Sequence, residues 1–391
     1  MAVSPDIIVV GAGINGTSIA FNLAKEGLRV TLIEKDFVAA GPTGRSSAII
    51  RQHYSHEVTA RMALRSLHIF QNFDDVVGGD PDFHQTGFLL AARPEDVAML
   101  EANITLQREV GIDTRLVSPQ EVKELEPHIS IEGIAAAAYE PGSGYADPAA
   151  TSTAYAGRAR DMGASLQLDT RVESILVEGG RVTGVATNKG VFPAGAVVLA
   201  AGPWTPLIAR SAGIELPIKA SRHQVATYRR PDEFDRHMVF AGFADEVYIR
   251  PETGQLMLVG SIEPEEAEEE VPDPDSFNER VDFDVVVEFS ERVARRYPLM
   301  EQGASAGGWA SLYDITPDWH AIMGALPGVE GLYCVAGTSG HGFKLGPAVG
   351  EMMADLIVNG EKPDADINLF SPRRFTEGKL VRGRYEYSIV G

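Results

Sequence analysis

Residues 6–34 read DIIVVGAGINGTSIAFNLAKEGLRVTLIE, and the fold follows from this stretch. Ile7 to Val10 is a short, wholly apolar run, the mark of a strand buried on both faces. Gly11, Gly13 and Gly16 come next in the spacing G-x-G-x-x-G. Ile19, Ala20, Leu23 and Ala24 then recur at helical spacing, and Gly27 ends the helix. Val30 to Ile33 is a second buried strand, with Glu34 at its end, 18 residues past the last glycine. Strand, glycine turn, helix and acid together make a dinucleotide-binding unit, which the glycines alone would not. Gly11 permits the tight turn, Gly13 lets the backbone approach a pyrophosphate, and Gly16 lets helix and strand pack closely. The helix N-terminus offers unpaired N–H groups and a partial positive charge to the phosphates. Glu34 suits the ribose hydroxyls and repels a 2′-phosphate, which disfavours NADP.

The chain has 391 residues, enough for two domains with sizeable cores. Its hydrophobic content is 44% and its charged content 23%, an ordinary globular composition. Lys+Arg 34 against Asp+Glu 55 gives a net charge of −21, a poor match for nucleic acid or an anionic membrane surface. The single cysteine, Cys334, rules out an internal disulfide and a cysteine-cluster metal site; its apolar surroundings read as a buried strand. The first apolar segment is the cofactor strand itself, so no signal peptide is expected. No apolar run approaches the roughly 20 residues that span a bilayer. The expected location is cytoplasmic.

Residues 35–56 form a long irregular loop, of the kind that usually serves function. A helix is expected over 57–78, with one apolar stripe. Around Gly87 the pattern changes to a strand at 88–91, helices over 94–110 and 119–126, and a strand at 135–139. Residues 148–162 read as a helix, 171–192 as a small meander, and 196–200 as another buried strand. From Pro217 to Gly260 the chain is β-rich. Residues 263–275 are acidic and proline-containing, a solvated face. A helix follows over 276–297, and segments 309–313 and 320–324 finish a second domain. Leu332 to Ala336 returns to the first sheet, and Gly337 to Lys344 opens a helix over 346–358. The reading is therefore α/β, a parallel-sheet nucleotide domain (1–86, 147–216, 325–374) interleaved with an α+β domain on a mainly antiparallel sheet (87–146, 217–324), then a tail (375–391).

Three loops follow strand ends and should meet at one cleft: the first glycine turn, residues 41–51 and residues 337–344. Lys344 at a helix start can stabilise negative charge on a bound ring or hold a substrate carboxylate. Arg51, preceded by two isoleucines, needs an acidic partner or an anionic ligand.

At this point the chain resembles the D-amino-acid-oxidase-type FAD-dependent oxidoreductase superfamily, most of all the sarcosine oxidase and dimethylglycine dehydrogenase group. The likeness rests on GAGINGTSIAFNLAKEGLRVTLIEK (11–35), TGRSSAIIRQHY (43–54), AAGPWTPLIA (200–209), ITPDWHAIMG (315–324) and GTSGHGFKLGPAVGE (337–351). It implies FAD bound by a Rossmann-like, glutathione-reductase-type domain. It also implies oxidation of the C–N bond of a secondary or N-methylated amino acid, sarcosine-like or proline-like. Hydride would pass to flavin N5, and the imine would hydrolyse. Gly11, Gly13, Ile14, Asn15 and Gly16 match the phosphate-binding turn, and Glu34 and Lys35 the ribose end. Arg45, Ser46 and Ser47 match the flavin-contacting loop, Val172 an adenine contact, and Gly340, His341, Gly342, Phe343 and Lys344 the loop around the pyrimidine ring. Arg51 and Lys344 match a pair that holds the substrate carboxylate. Tyr248 and Tyr313 match aromatic residues over the substrate. No side chain stands out as a general base, and hydride transfer from a neutral amine needs none.

Two departures shape the expectation. The cysteine that tethers FAD in monomeric sarcosine oxidases is replaced by Ser311, which implies non-covalent FAD. The lysine that activates oxygen there aligns with Met257, and no lysine lies between Lys219 and Lys344, although Arg250 offers a cation. The expected enzyme is thus a dehydrogenase with poor oxygen reactivity, passing electrons to a quinone, a flavoprotein or another acceptor. Two alternatives stand beside it: a 2-hydroxy acid or D-amino acid dehydrogenase, and a flavin-carrying subunit of a larger complex, with the 263–270 loop and the tail as docking elements. A homo-oligomer is equally compatible.

Overall fold

The computed structural model describes residues 6–263 and 269–382. Its first layer is a six-stranded sheet in the order Ile322–Ala325, Leu332–Ala336, Ala196–Leu199, Ile7–Val10, Val30–Ile33, Ser165–Gln167. All neighbours are parallel except the first pair. The four central strands are apolar because both faces are covered. Helices Ile14–Lys25, Pro148–Asp161 and Gly342–Asn359 pack on one face. The first and last of these approach closely through glycine: a Cβ on Gly346 would sit 2.5 Å from Ile14 Cγ1, and one on Gly350 2.0 Å from Ser18 Oγ. On the other face a three-stranded antiparallel meander, Val172–Glu178, Arg181–Thr187 and Gly190–Pro193, shares a core with Ile8 and Val10.

The second layer is an eight-stranded sheet in the order Ala304–Ile315, Lys219–Arg229, Leu256–Ser261, Val247–Glu252, Val239–Gly242, Phe88–Ala92, Ala136–Glu140, Arg115–Val117. It is antiparallel but for the pairing of Val239–Gly242 with Phe88–Ala92. Helix Phe283–Arg296 covers one face through Phe289 and Val293, and the Tyr228 hydroxyl donates to its Val286 carbonyl at 2.6 Å. The other face turns to the nucleotide-binding layer.

Several expectations are corrected. The strand Ile322–Ala325 belongs to the first sheet, pairing antiparallel with Leu332–Ala336, and does not finish the second domain. A short apolar strand looks alike in either sheet, and only long-range pairing separates them. The helix expected over 276–297 begins at Phe283, because Arg222 of the second sheet draws the Asn278 and Arg280 carbonyls into side-chain hydrogen bonds and residues 276–282 stay irregular. The helix expected over 57–78 breaks at Asn72 into Glu57–Gln71 and Phe73–Val76. Loop 35–56 contains a helical turn, Pro42–Arg45, and a strand, Ile49–Ile50.

Part of the C-terminal segment is docked. Arg374 and Asp318, both buried, form an ion pair at 2.7 Å, and Asp318 also accepts the Val381 N–H at 3.1 Å. Residues 264–268 and 383–391, the larger parts of the acidic loop 263–270 and the tail 375–391 expected to dock, lie outside the described residues. No helix among the described residues is long and apolar enough to cross a membrane.

Candidate cofactor and substrate site

A cavity of about 490 Å³ lies between the two layers. One end is built from backbone. Gly11 has φ +102°, and a Cβ there would sit 2.5 Å from the Ala200 carbonyl oxygen. A Cβ on Gly16 would stand 1.8 Å from the Gly11 carbonyl oxygen, so helix and turn touch directly. The helix begins at Ile14 behind Gly13, which has no side chain to occupy the first-turn N–H groups. Asn15 Oδ1 faces this region buried and without a hydrogen-bond partner among the described residues. Glu34 lines the cavity while its Oε2 accepts the Ala12 N–H at 2.8 Å, so the acid also braces the turn. Lys35, Arg45, Ser46, Ser47 and Val172 complete this wall.

The other wall is built from side chains. Lys344 lies in the first turn of the helix Gly342–Asn359, buried yet on the cavity surface. Among the described residues its ammonium has no carboxylate within ion-pair distance. Burial, then the nearby Arg51 charge, push its pKa well below the usual lysine range. Tyr313 stacks on His223 with ring centroids 3.8 Å apart and planes 18° from parallel. Its ring rests against Gly340, where a Cβ would meet Tyr313 Cε2 at 2.5 Å. The Tyr248 ring lies across Gly260 in the same way, with Oη 2.3 Å from where a Cβ would be. Both tyrosines, Gly340, Gly342 and Phe343 line the cavity.

Asp314 joins the two walls. Fully buried against the end of the strand Leu332–Ala336, it accepts the Gly337 N–H at 2.7 Å and the Thr338 N–H at 3.2 Å. Burial raises its carboxyl to about 6 against these hydrogen bonds. It thereby holds the turn that carries Gly340 to Lys344 into the cavity.

Not every expected residue reaches the cavity wall. Gly16 lies behind the turn. His341 is turned away, its Nδ1 3.0 Å from the Tyr54 hydroxyl. Arg51 is buried behind Lys344, donating to the His53 carbonyl with its guanidinium 4.7 Å from the Tyr54 ring centroid. Its charge reaches Lys344, but its side chain does not line the cavity. Met257 is corrected outright. It pairs with Tyr228, and both face the helix Phe283–Arg296. Leu258 and Gly260 are the residues on the cavity side of that strand, since Gly260 pairs with cavity-lining Val225. Arg250 is held by Glu252 at 2.7 Å and lies 4.3 Å from the Tyr145 ring centroid. Ser311 does line the cavity, whereas Cys334 is enclosed in the first sheet, where burial pushes its thiol far up.

Residues not anticipated also line the cavity: Thr43, Arg171, Trp204, His223, Asp275 and Asp314. Trp204 sits in a motif already singled out. His223 and Asp275 carried no local signal, because only sheet register and a chain crossing bring them here.

Glycine-cleared backbone at the Gly11–Gly16 turn, a helix starting beside it at Ile14 and a buried cation with no carboxylate beside it on the opposite wall fit an extended, anionic dinucleotide. The model of the FAD-dependent oxidoreductase family matches residues 6–356. The chain belongs to this family. It is 28% identical over 386 residues to the sarcosine oxidase subunit beta of Rhodobacter capsulatus, covering 96% of this chain and 90% of that protein. Among solved structures it is similar to L-proline dehydrogenase from P. horikoshii, with TM-score 0.89 and 32% identity, covering 97% of this chain and 100% of that one. Glycine oxidase from Geobacillus kaustophilus gives TM-score 0.82 and 26% identity, covering 95% and 99%. As a family member, the protein is an FAD-dependent amine or amino-acid oxidoreductase.

Proposed function

We propose that the protein oxidises the C–N bond of a small secondary or N-methylated amino acid, sarcosine-like or proline-like, as a dehydrogenase. The observation that carries this reading is Lys344. Burial pushes this unpaired amine toward its neutral form, and a substrate carboxylate on the cavity wall would restore and pair its charge. When bound, FAD supplies the two-electron acceptor, held by the Gly11–Gly16 turn, Glu34 and the Gly340–Lys344 loop. Tyr248 and Tyr313 then flank the rest of a small substrate, and His223 and Gly340 fix the Tyr313 ring. The positive charge of Lys344 and Arg51 disfavours a second cation nearby. This favours the neutral amine, the form able to give up hydride. Ser311 in place of a thiol supports non-covalent FAD. Leu258 and Gly260 on the cavity side of their strand, with Arg250 engaged elsewhere, support weak oxygen reactivity. The similarity to a proline dehydrogenase and to a sarcosine oxidase subunit is consistent with this substrate class.

Anaerobic addition of sarcosine, dimethylglycine, proline, pipecolate, D- and L-amino acids and 2-hydroxyglutarate to the yellow protein tests the reading. Bleaching of the flavin by an N-alkyl or cyclic amino acid, with slow recovery in air, is the expected result. Recovery in air at the rate of turnover would make it an oxidase. Bleaching by the hydroxy acid alone would replace the substrate class. No bleaching by any of them would point to a flavin-carrying subunit.

A further inference from the structure

Residues 269–282 run from one layer of the molecule to the other. The second sheet holds their root. Buried Arg222 donates to the carbonyls of Asn278 at 2.8 Å and Arg280 at 2.7 Å, and to the Asp282 carboxylate at 2.7 Å. The backbone adds bonds from Val271 N–H to Ala220, from Arg222 N–H to Glu269 and from Ala310 N–H to Glu279. The outer part reaches the nucleotide-binding layer. Asp275 accepts Lys35 Nζ at 2.5 Å, Trp204 Nε1 at 2.8 Å and Arg171 Nη1 at 2.8 Å. These donors follow or precede three separate strands of that layer, and Lys35 also lies 3.7 Å from the Trp204 ring centroid. A second contact pairs Glu279 with Arg45 at 2.9 Å. Asp275 and its three donors line the cavity beside Glu34 and Val172. Burial alone would raise the Asp275 carboxyl, yet the bonds from Lys35, Arg171 and Trp204 hold it down to about 2.

We propose that residues 269–282 form a clasp over the ribose end of the FAD cavity, with Asp275 as its latch, so that FAD leaves only when the latch opens. A single exposed ion pair holds little. Here one carboxylate accepts from three segments at once, and lifting the clasp breaks all three bonds together. The proposal depends on the cofactor and is independent of the substrate reading.

The test is FAD release from the holoenzyme, followed as the gain in flavin fluorescence on dilution. Wild-type release should be faster in about 1 M NaCl, where charges are screened within about 3 Å. Asp275→Asn should release FAD about tenfold faster at low salt and lose most of the salt dependence. Trp204→Phe keeps a smaller aromatic ring, removes the indole N–H that Asp275 accepts and weakens the contact with Lys35, and should move release the same way by a smaller factor. It decides the question if Asp275→Asn yields no folded holoenzyme. Wild-type release rates in both variants, or salt-independent release in the wild type, would overturn the proposal. So would equal destabilisation of the FAD-free and FAD-bound forms by Asp275→Asn, which would make the residue purely structural.

Discussion

The two ends of the cavity are made of different material. At the glycine end the wall is backbone: the Gly11–Gly16 turn, where even a methyl group has no room. At the tyrosine end the wall is side chain, Tyr248 and Tyr313 laid across Gly260 and Gly340. A backbone wall admits one shape and fixes a ligand common to many relatives. A side-chain wall changes with each substitution and sets which small molecule enters. On the function proposed above, the glycine end would hold the cofactor and the tyrosine end the substrate, so substitutions at the tyrosine end would alter specificity.

Gly16→Ala should sharpen that contrast most. The new methyl would fall 1.8 Å from the Gly11 carbonyl oxygen, and neither helix nor turn can yield alone. We expect loss of about 3 kcal/mol or more and a protein purified without flavin, read by thermal melting and absorbance. Asp314, at the seam between the ends, should show next. Its folded pKa is raised from 3.8 to about 6, so the folded chain keeps a proton that the unfolded chain has released. Its contribution to stability is therefore full below pH 3.8, falls as pH rises to about 6, and is flat above. The fall should amount to about 3 kcal/mol. Melting against pH should show this slope in the wild type and lose it in Asp314→Asn.

Lys344→Met should lower kcat/KM roughly 10- to 150-fold, the worth of one charge-assisted hydrogen bond. Lys344→Arg should recover part of it. Unchanged kinetics in Lys344→Met would remove the carboxylate role. Gly260→Ala should have the smallest effect on folding. The methyl meets the movable end of the Tyr248 ring, 2.3 Å away, so the ring swings and the fold stays. We expect a stability change under about 1.5 kcal/mol, full flavin content and an altered KM. If Gly260→Ala loses flavin as Gly16→Ala does, the two ends are not distinct in the way described.

Legibility in the sequence followed the same division. Gly11, Gly13, Glu34 and the Gly340–Lys344 loop could be singled out because each belongs to a motif of fixed spacing, although Gly11 packs on Ala200 and Gly340 on Tyr313, far away in sequence. Met257 was misplaced because a strand's two faces alternate residue by residue, and only pairing with Tyr228 shows which face is which. Arg51 was found as a buried cation, but its direction, toward the His53 carbonyl and the Tyr54 ring, is a matter of packing. Asp275 sat at the end of an acidic run that reads as solvated. Its three donors are far away in sequence.

By itself the sequence determined the nucleotide-binding unit, the interleaving of two layers, the cofactor class and a cation at the start of the last long helix. These depend on local periodicity, turn chemistry and residue spacing. The tertiary structure alone decided which sheet owns Ile322–Ala325, which strand faces look into the cavity, and that an acidic segment reaches across to Lys35, Arg171 and Trp204. Those outcomes depend on contacts between segments distant in the chain, where hydrogen-bond register and close packing choose among arrangements that local sequence leaves equal.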